Sequence, residues 1–107
     1  MTAMERIQAE ISAHPVILFM KGTPQFPMCG FSSRAAAALK DCGARFHAVN
    51  VLEDPEIRAN LPRYSNWPTF PQLFVNGELI GGCDIVVELH DKGDLARIVG
   101  LAQPGTD

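Results

Sequence analysis

The sequence lacks an excess of positive charge. Its 9 lysine and arginine residues stand against 12 aspartate and glutamate residues, which gives a formal net charge of −3 at pH 7. Aromatic residues make up 7% of the chain, and they do not alternate with basic residues as they would on a surface that stacks bases. We therefore expect no nucleic acid among the partners of this protein.

Long hydrophobic runs are missing as well. The longest, PVILFM at residues 15–20, has the length of a strand and falls short of the roughly 18 to 20 apolar residues that cross a bilayer. The N-terminal segment MTAMERIQAE mixes acidic and basic side chains, and it lacks the apolar core of a signal peptide and the acid-poor composition of a transit peptide. These absences predict a cytoplasmic protein with no membrane partner.

Cysteine is scarce and odd in number. Three cysteines in a chain that we expect to work in a reducing compartment argue against a framework of disulfides. At least one thiol is then expected to be present for its chemistry.

The hydrophobic pattern alternates between helix and strand. A capping box at Thr2 and Glu5 begins a helix that runs to about His14, and the apolar run that follows suits a strand buried on both faces. Helices are also predicted over FSSRAAAALKDCG, EDPEIRANL, residues 84–91 and residues 94–102, with a strand over RFHAVNVL and a hairpin over QLFVNGELIGG.

This order, α-β-α-β-α-β-β-α-α, predicts an α/β protein. A β-α-β unit and a hairpin together form a mixed four-stranded sheet with helices on both faces, which is the layout of the thioredoxin fold. The 107 residues, 47% of them hydrophobic, are enough for one core. We predict a single domain over residues 1–107, with a frayed tail at 103–107.

Cys29 is the candidate reactive residue. It lies just before a predicted helix, where unpaired backbone N–H groups and the helix dipole stabilise an anion. Lys21, at the end of the first strand, is expected at the same edge of the sheet and adds a positive charge. These features predict a thiolate with a lowered pKa; the alternative is a small buried residue.

Ser32 occupies the position of the second cysteine in a Cys-x-x-Cys pair. A serine cannot attack a mixed disulfide, so a dithiol cycle through this motif is excluded. Two roles remain for the thiolate of Cys29, namely a mixed disulfide with an external thiol and ligation of a soft metal centre.

Other residues favour a pocket for a small peptide beside Cys29. The segment GGCD ends the hairpin and begins a helix, so Gly81 and Gly82 permit close backbone approach, while the helix N-terminus and Asp84 offer hydrogen bonds to a charged ligand. Asp84 is also a candidate cap of that helix, a role compatible with ligand binding. Arg58 is either a ligand for a carboxylate or a solvated side chain.

Several other prolines, cysteines, histidines and a tryptophan have a structural interpretation as well as, or in place of, a functional one. Either Pro68 or Pro71 is a candidate for a cis peptide bond before the third strand, and either can be a simple turn. Cys83 either packs as a small apolar residue or forms a regulatory disulfide with Cys29. We interpret Cys42 as structural, Trp67 as a wall of the site or part of the core, and three histidines without metal-ligand spacing, His14, His47 and His90, as structural or solvated.

The motifs KGTPQFPMCGFS and WPTFPQLFVNGELIGGCDI, with the helices between them, resemble those of monothiol glutaredoxins of the Cys-Gly-Phe-Ser class. The resemblance extends from the first predicted helix to Leu101. Phe26 and Met28 differ from the family pattern only at variable loop positions.

The resemblance implies a glutathione site and an iron ligand. Lys21 and Arg58 would bind the glycine carboxylate of glutathione, the backbone of Phe70 would pair with its cysteine moiety, and Cys83 and Asp84 would hold its γ-glutamyl end. The complete implied glutathione set is Lys21, Arg58, Thr69, Phe70, Pro71, Gly82, Cys83 and Asp84, and the implied iron ligand is Cys29.

The family also implies partners. Its members carry a [2Fe-2S] cluster between two protomers or form a mixed complex with a BolA-family protein. The resemblance therefore implies a homodimer bridged by cluster and glutathione, apo proteins that accept the cluster, and a role in iron–sulfur cluster transfer and iron homeostasis. Ligand counting agrees, because two chains with one exposed cysteine each need two external thiols to surround such a cluster.

Two classes of function stay open, a cluster carrier and an enzyme that reduces glutathione mixed disulfides through Cys29. Seven residues separate Lys21 from Cys29, more than in compact dithiol relatives. Such an insertion is expected to reposition glutathione relative to the thiolate, which suppresses turnover and leaves metal ligation possible. We therefore expect a cluster carrier with at most weak oxidoreductase activity.

Overall fold

The computed structural model describes residues 1–102, and its elements follow the predicted order. The predicted tail at 103–107 lies outside the described residues. The elements are α1 (Ala3–Ala13), β1 (Val16–Met20), α2 (Gly30–Asp41), β2 (His47–Asn50), α3 (Pro55–Ser65), β3 (Gln72–Val75), β4 (Glu78–Gly81), α4 (Cys83–Asp91) and α5 (Asp94–Ala102).

The four strands form one mixed sheet in the order β2-β1-β3-β4. β1 pairs with β2 in parallel, whereas the pairs β1–β3 and β3–β4 are antiparallel. The predicted α/β class and thioredoxin-like layout are therefore confirmed. β1 lies inside the sheet and is the element before α2, so the candidate site lies at its C-terminal end.

Two hydrophobic clusters cover the two faces of the sheet. Val16, Leu18 and Met20 pack on the face covered by α2, α4 and α5, whereas Ile17 and Phe19 pack on the face covered by α1 and α3. Every residue of β1 is buried, as the unbroken apolar run predicts. Among residues 1–102, helices that combine the length and the apolar character of a membrane span are absent.

The structure confirms two helix caps and one turn that the sequence predicted from residues close together in the chain. The Thr2 hydroxyl accepts from the N–H of Glu5, and the Glu5 carboxylate accepts from the N–H of Thr2, which completes the capping box. The carboxylate of Asp54 caps α3 by accepting from the Ile57 N–H at 3.2 Å. Asn76 and Gly77 both have positive φ, at 50° and 82°, as a tight hairpin turn requires.

Several element boundaries and one cap differ from those predicted. α3 continues beyond EDPEIRANL to Ser65, because Pro62 removes only one N–H donor and the left-handed Asn66 ends the helix. β2 is shorter than RFHAVNVL and covers only the four residues that pair with β1. The alternative that Asp84 caps α4 is wrong, because Gly82 is the cap residue and α4 has no side-chain cap bond.

Candidate functional site

Four segments meet at a cleft beside the C-terminal end of β1. They are the residue after β1, the N-terminus of α2, the loop before β3 and the N-terminus of α4. The cleft has a volume of about 640 Å³, within the range of roughly 300 to 1,000 Å³ typical of small-molecule sites. Its lining residues are Lys21, Cys29, Phe31, Trp67, Pro68, Thr69, Phe70, Gly82, Cys83, Asp84 and Ile85.

Cys29 is the cap residue of α2 and has an extended backbone. The pKa of its thiol is lowered, chiefly because the backbone N–H of Ser32 interacts with the sulfur. The N–H of Phe31, the Ser32 hydroxyl and the charge of Lys21 lower the pKa further, while partial burial opposes the shift. A helix N-terminus therefore stabilises the thiolate, as predicted.

Ser32 has a structural role that the sequence did not reveal. Its side chain is fully buried, and its hydroxyl accepts from the backbone N–H of Lys21 at 3.0 Å. The same hydroxyl helps to lower the pKa of Cys29. Ser32 therefore joins the end of β1 to the first turn of α2.

The inserted loop at residues 22–28 is a compact turn. Gly22 and Pro27 form an isolated antiparallel bridge, and the Met28 N–H donates to the Lys21 carbonyl at 2.9 Å. Gly22 has a φ of +93°, and a Cβ added there would lie 2.5 Å from the carbonyl oxygen of Phe26. Only glycine suits this position, because the backbone angle φ is positive and there is no room for a Cβ.

The chain on either side of Cys29 carries exposed apolar side chains, of which Phe31 lines the cleft. Phe26, Met28 and Phe31 are 78%, 70% and 54% exposed. The guanidinium of Arg34 lies over the Phe31 ring, 5.2 Å from its centroid, which holds that ring at the cleft. We call these three residues, Phe26, Met28 and Phe31, the apolar rim.

The loop before β3 forms the opposite wall. The peptide bond between Phe70 and Pro71 is cis, which distinguishes Pro71 from Pro68. Gln72, which the sequence analysis did not single out, is fully buried in β3 and donates from Nε2 to the carbonyls of Trp67 and Thr69 at 2.9 and 3.1 Å. These two hydrogen bonds tie the loop to the buried first residue of β3.

Gly82 and Trp67 form the floor of the cleft. A Cβ at Gly82 would lie 3.2 Å from Nε1 of Trp67 and 3.3 Å from the carbonyl oxygen of Pro71. Nε1 of Trp67 is buried and makes no hydrogen bond within the described part of the chain. A side chain at Gly82 would therefore crowd the indole, and Trp67 walls the site.

The three thiols occupy different environments. Burial raises the pKa of the Cys83 thiol, in contrast to that of Cys29. Both line the cleft, and both are free thiols. Cys42 lies at the end of α2, where its thiol donates to the Leu39 carbonyl at 3.3 Å, in agreement with its structural interpretation.

The structure brings together most of the implied glutathione residues. Lys21, Cys29, Thr69, Phe70, Gly82, Cys83 and Asp84 all line the cleft. Pro71 is buried directly behind Phe70, whereas Arg58 lies on the exposed surface of α3 and does not line the cleft. The implied contact of Arg58 with a bound carboxylate stays a prediction.

Two of the three histidines meet in the folded chain. Although no spacing links them in sequence, His14 and His47 stack with ring centroids 3.7 Å apart. Glu10 lies beside this pair. The fold brings these residues together from α1 and β2, so that sequence spacing alone gave no signal.

Comparisons with known proteins agree with this geometry. The glutaredoxin family model matches residues 16–80. Glutaredoxin 4 of Escherichia coli strain K12 is 54% identical over 98 residues, which cover 92% of this chain and 85% of that protein.

Two solved structures are similar over nearly the whole chain. The solution structure of reduced poplar apo GrxS14 has 47% identity and a TM-score of 0.77, with 92% of this chain and 90% of that chain covered. A buckwheat glutaredoxin–glutathione complex has 28% identity and a TM-score of 0.81, with coverage of 94% and 89%. A lone thiol at the N-terminus of α2, together with these similarities, shows that the chain belongs to the glutaredoxin family as a monothiol member similar to glutaredoxin 4.

Proposed function

We propose that this protein carries a [2Fe-2S] cluster shared between two chains, in the assembly, storage or transfer of iron–sulfur clusters and in iron homeostasis. One observation carries the proposal. Cys29 is a half-buried thiol with a lowered pKa, and the position of a resolving cysteine is filled by a buried serine, Ser32, whose hydroxyl accepts from Lys21 and helps to lower the pKa of Cys29. Such a thiolate suits ligation of a soft metal centre.

Glutathione is the proposed second ligand. The buckwheat glutaredoxin was solved as a complex with glutathione, and the cleft described above has groups that complement a charged tripeptide. Lys21 provides a cation at one end, and the α4 N-terminus with Gly82 as its cap provides backbone N–H groups for a carboxylate at the other. Asp84 is placed to accept from an amino group there.

The donor set fits a cluster divided between chains. A [2Fe-2S] cluster is usually held by thiolates, and Cys29 of each chain is a half-buried thiol with a lowered pKa at the cleft. Cys83 is buried with a raised pKa, so it is a poorer ligand. Cys29 of each chain and one glutathione thiol at each would complete the set. When bound, the cluster supplies the iron and sulfide that an apo acceptor protein would receive.

The apolar rim supports a protein partner at the same face. Three exposed apolar side chains beside a reactive thiol form the kind of surface that is buried by association. We infer that a second copy of this chain covers the apolar rim in the cluster-bound homodimer. A BolA-family protein would compete for this face in a heterodimer.

A second candidate is a glutathione-dependent thiol–disulfide oxidoreductase, which the lowered pKa of Cys29 also favours. In that reaction the Cys29 thiolate attacks the glutathione sulfur of a mixed disulfide and releases the protein thiol. A second glutathione then reduces the Cys29–glutathione disulfide and leaves as glutathione disulfide. We expect this turnover to be slow, because the loop at 22–28 repositions bound glutathione.

One experiment separates the two functions. The protein is reconstituted anaerobically with iron, sulfide and glutathione, its visible spectrum is recorded, and glutathione-dependent disulfide reduction is assayed beside it. We expect a coloured protein with slow reduction. Cys29→Ser should abolish both properties, and Cys42→Ser, a matched change outside the cleft, should retain both. A colourless protein with fast reductase activity would overturn the proposal.

A further inference from the structure

Three potential metal ligands meet on the surface opposite the cleft. Glu10 lies in α1, His14 is the cap residue at its C-terminus, and His47 begins β2. Their ligand atoms all lie within 4.8 Å of one another. The two imidazole rings stack with an interplanar angle of 9°, and Nε2 of His47 lies 3.3 Å from a Glu10 oxygen.

This group is separate from the Cys29 cleft. His14 and His47 lie at the end of the sheet where β1 begins, whereas Lys21 and Cys29 lie where β1 ends. The five residues of β1, at about 3.3 Å each, separate the two places by roughly 16 Å. Chemistry at one place therefore does not require atoms of the other.

We propose that Glu10, His14 and His47 form a binding site for a divalent transition-metal cation of the zinc class. Two imidazole nitrogens and one carboxylate oxygen are a donor set that zinc favours, and a bound water would complete a tetrahedral shell. The site lacks thiolates, which distinguishes it from the centre proposed at Cys29.

Metal binding at this site requires a rearrangement of the two stacked histidine rings. Parallel stacked rings cannot both direct an in-plane nitrogen at one ion, and zinc–nitrogen bonds are only about 2.0 to 2.1 Å long. Binding therefore requires the rings of His14 and His47 to turn about their side-chain torsions. Glu10 and His14 are half-buried and His47 is exposed, so core packing does not prevent this rotation.

The local charge also favours a cation. The last turn of α1 has no basic residue, so its C-terminal carbonyls are not complemented within the helix. Arg6, one turn before Glu10, is engaged with Asp54 and Glu56 instead. A metal at His14 would supply the positive charge at this helix end.

The histidine signals give a direct test, because the chain has three histidines. Zinc is titrated into the full-length Cys29→Ser protein, which removes competition by the reactive thiol, and the imidazole resonances are followed by NMR. The signals of His14 and His47 should change together and stop changing at one zinc per chain, while that of His90 stays unchanged. His90 is a matched internal control, since it pairs with one carboxylate, Asp41, at 2.7 Å.

Variants in the same Cys29→Ser background test the two histidine ligands. His14→Asn and His47→Asn should each weaken zinc binding by at least about tenfold, and His90→Asn should leave it unchanged. Zinc should also raise the melting temperature of the parent but not of His14→Asn, because the metal links α1 to β2. Equal changes at all three histidines, or zinc affinity that survives both replacements, would overturn the proposal.

Discussion

Ser32 is buried against the end of β1, at the position where dithiol relatives would place a second cysteine. Its hydroxyl accepts from Lys21 and contributes to the lowered pKa of Cys29. The serine that replaces a resolving cysteine therefore has its own role, which is to connect β1 to α2 and to stabilise the Cys29 thiolate. Cys29 is left accessible and ionisable without a partner in its own motif.

We predict that Ser32→Ala raises the pKa of the Cys29 thiol. The change removes the hydroxyl contribution but keeps the backbone N–H, so the pKa should rise part of the way towards that of a free thiol. The rate of alkylation by iodoacetamide, measured against pH, reports this midpoint. Ser33→Ala is the matched control and should leave the midpoint unchanged; an unshifted midpoint in Ser32→Ala would refute the assigned role.

The lowered pKa of Cys29 also predicts how stability depends on pH. A thiolate stabilised by folding contributes its full stabilisation above the pKa of the unfolded thiol, about 8.5, and this contribution is lost as pH falls through the folded pKa. Cys29→Ser should therefore cost more stability at pH 9.5 than at pH 5. Urea unfolding at both pH values measures the difference, and an equal cost at both would contradict it.

Gly82 is predicted to be intolerant of a side chain. In Gly82→Ala the new Cβ crowds the Trp67 indole and the Pro71 carbonyl, which should destabilise the fold by about 1–3 kcal/mol and weaken glutathione binding. Gly100→Ala is the control, because nothing lies within 4 Å of a Cβ there. Unfolding by urea and glutathione titration measure the two effects; a Gly82→Ala protein that matches the parent in both would contradict this explanation.

At the scale of elements, α1 and α3 are joined by charge. Arg6 forms an ion pair with Asp54, which also caps α3. The Arg6 guanidinium holds the pKa of the Asp54 carboxyl below its usual range. This contact links the two helices that cover one face of the sheet.

We predict that Asp54→Ala costs about 1 kcal/mol or more, because it removes both the helix cap and the ion pair. Asp54→Asn keeps a capping oxygen and should cost less. Since folding lowers this pKa, the charge contribution is present above about pH 4 and is lost as pH falls through the folded value. Urea unfolding at pH 7 and at steps of falling pH should show the cost of Asp54→Asn decreasing, while the extra cost of Asp54→Ala, which comes from the lost cap, persists. A cost of Asp54→Asn that stays constant as pH falls would oppose this assignment.

The elements that could be predicted depend on short-range signals. The capping box at Thr2, the Asn76–Gly77 turn and the apolar β1 run each act within a few residues, and all three are confirmed. Gln72 holding its loop and the Ser32 hydroxyl bonded to Lys21 depend on tertiary contacts that no spacing encodes. The helix α3 extends past the predicted segment EDPEIRANL to Ser65, where the left-handed Asn66 ends it, and the sequence pattern gave no clear signal for that end.

At the scale of the whole molecule, the apolar rim and the reactive thiol face outward together. The proposed homodimer would bury this rim while bringing two Cys29 thiols to one cluster. The proposed zinc site at Glu10, His14 and His47 lies at the other end of the sheet. The chain therefore presents two chemically different surfaces, separated by the length of β1.

The apolar rim should contribute to association and not to folding. We predict that Phe26→Ser weakens the cluster-dependent dimer at least about tenfold, because burying a phenylalanine contributes about 1.5–3 kcal/mol. The monomer should unfold as the parent does, since this side chain is 78% exposed. Ala37→Ser, on an exposed part of α2, is the control in sedimentation experiments, and an unweakened Phe26→Ser dimer would exclude the rim from the interface.

The most direct measurement is the mass of the protein under anaerobic conditions, with iron content determined in the same sample. After reconstitution with iron, sulfide and glutathione, we predict a coloured dimer with one cluster per two chains. It should return to monomer when iron is chelated or glutathione is omitted, and it should not form with Cys29→Ser. A stable dimer without a cluster, or a coloured monomer, would contradict the proposal that the Cys29 thiolate holds a cluster shared between two chains.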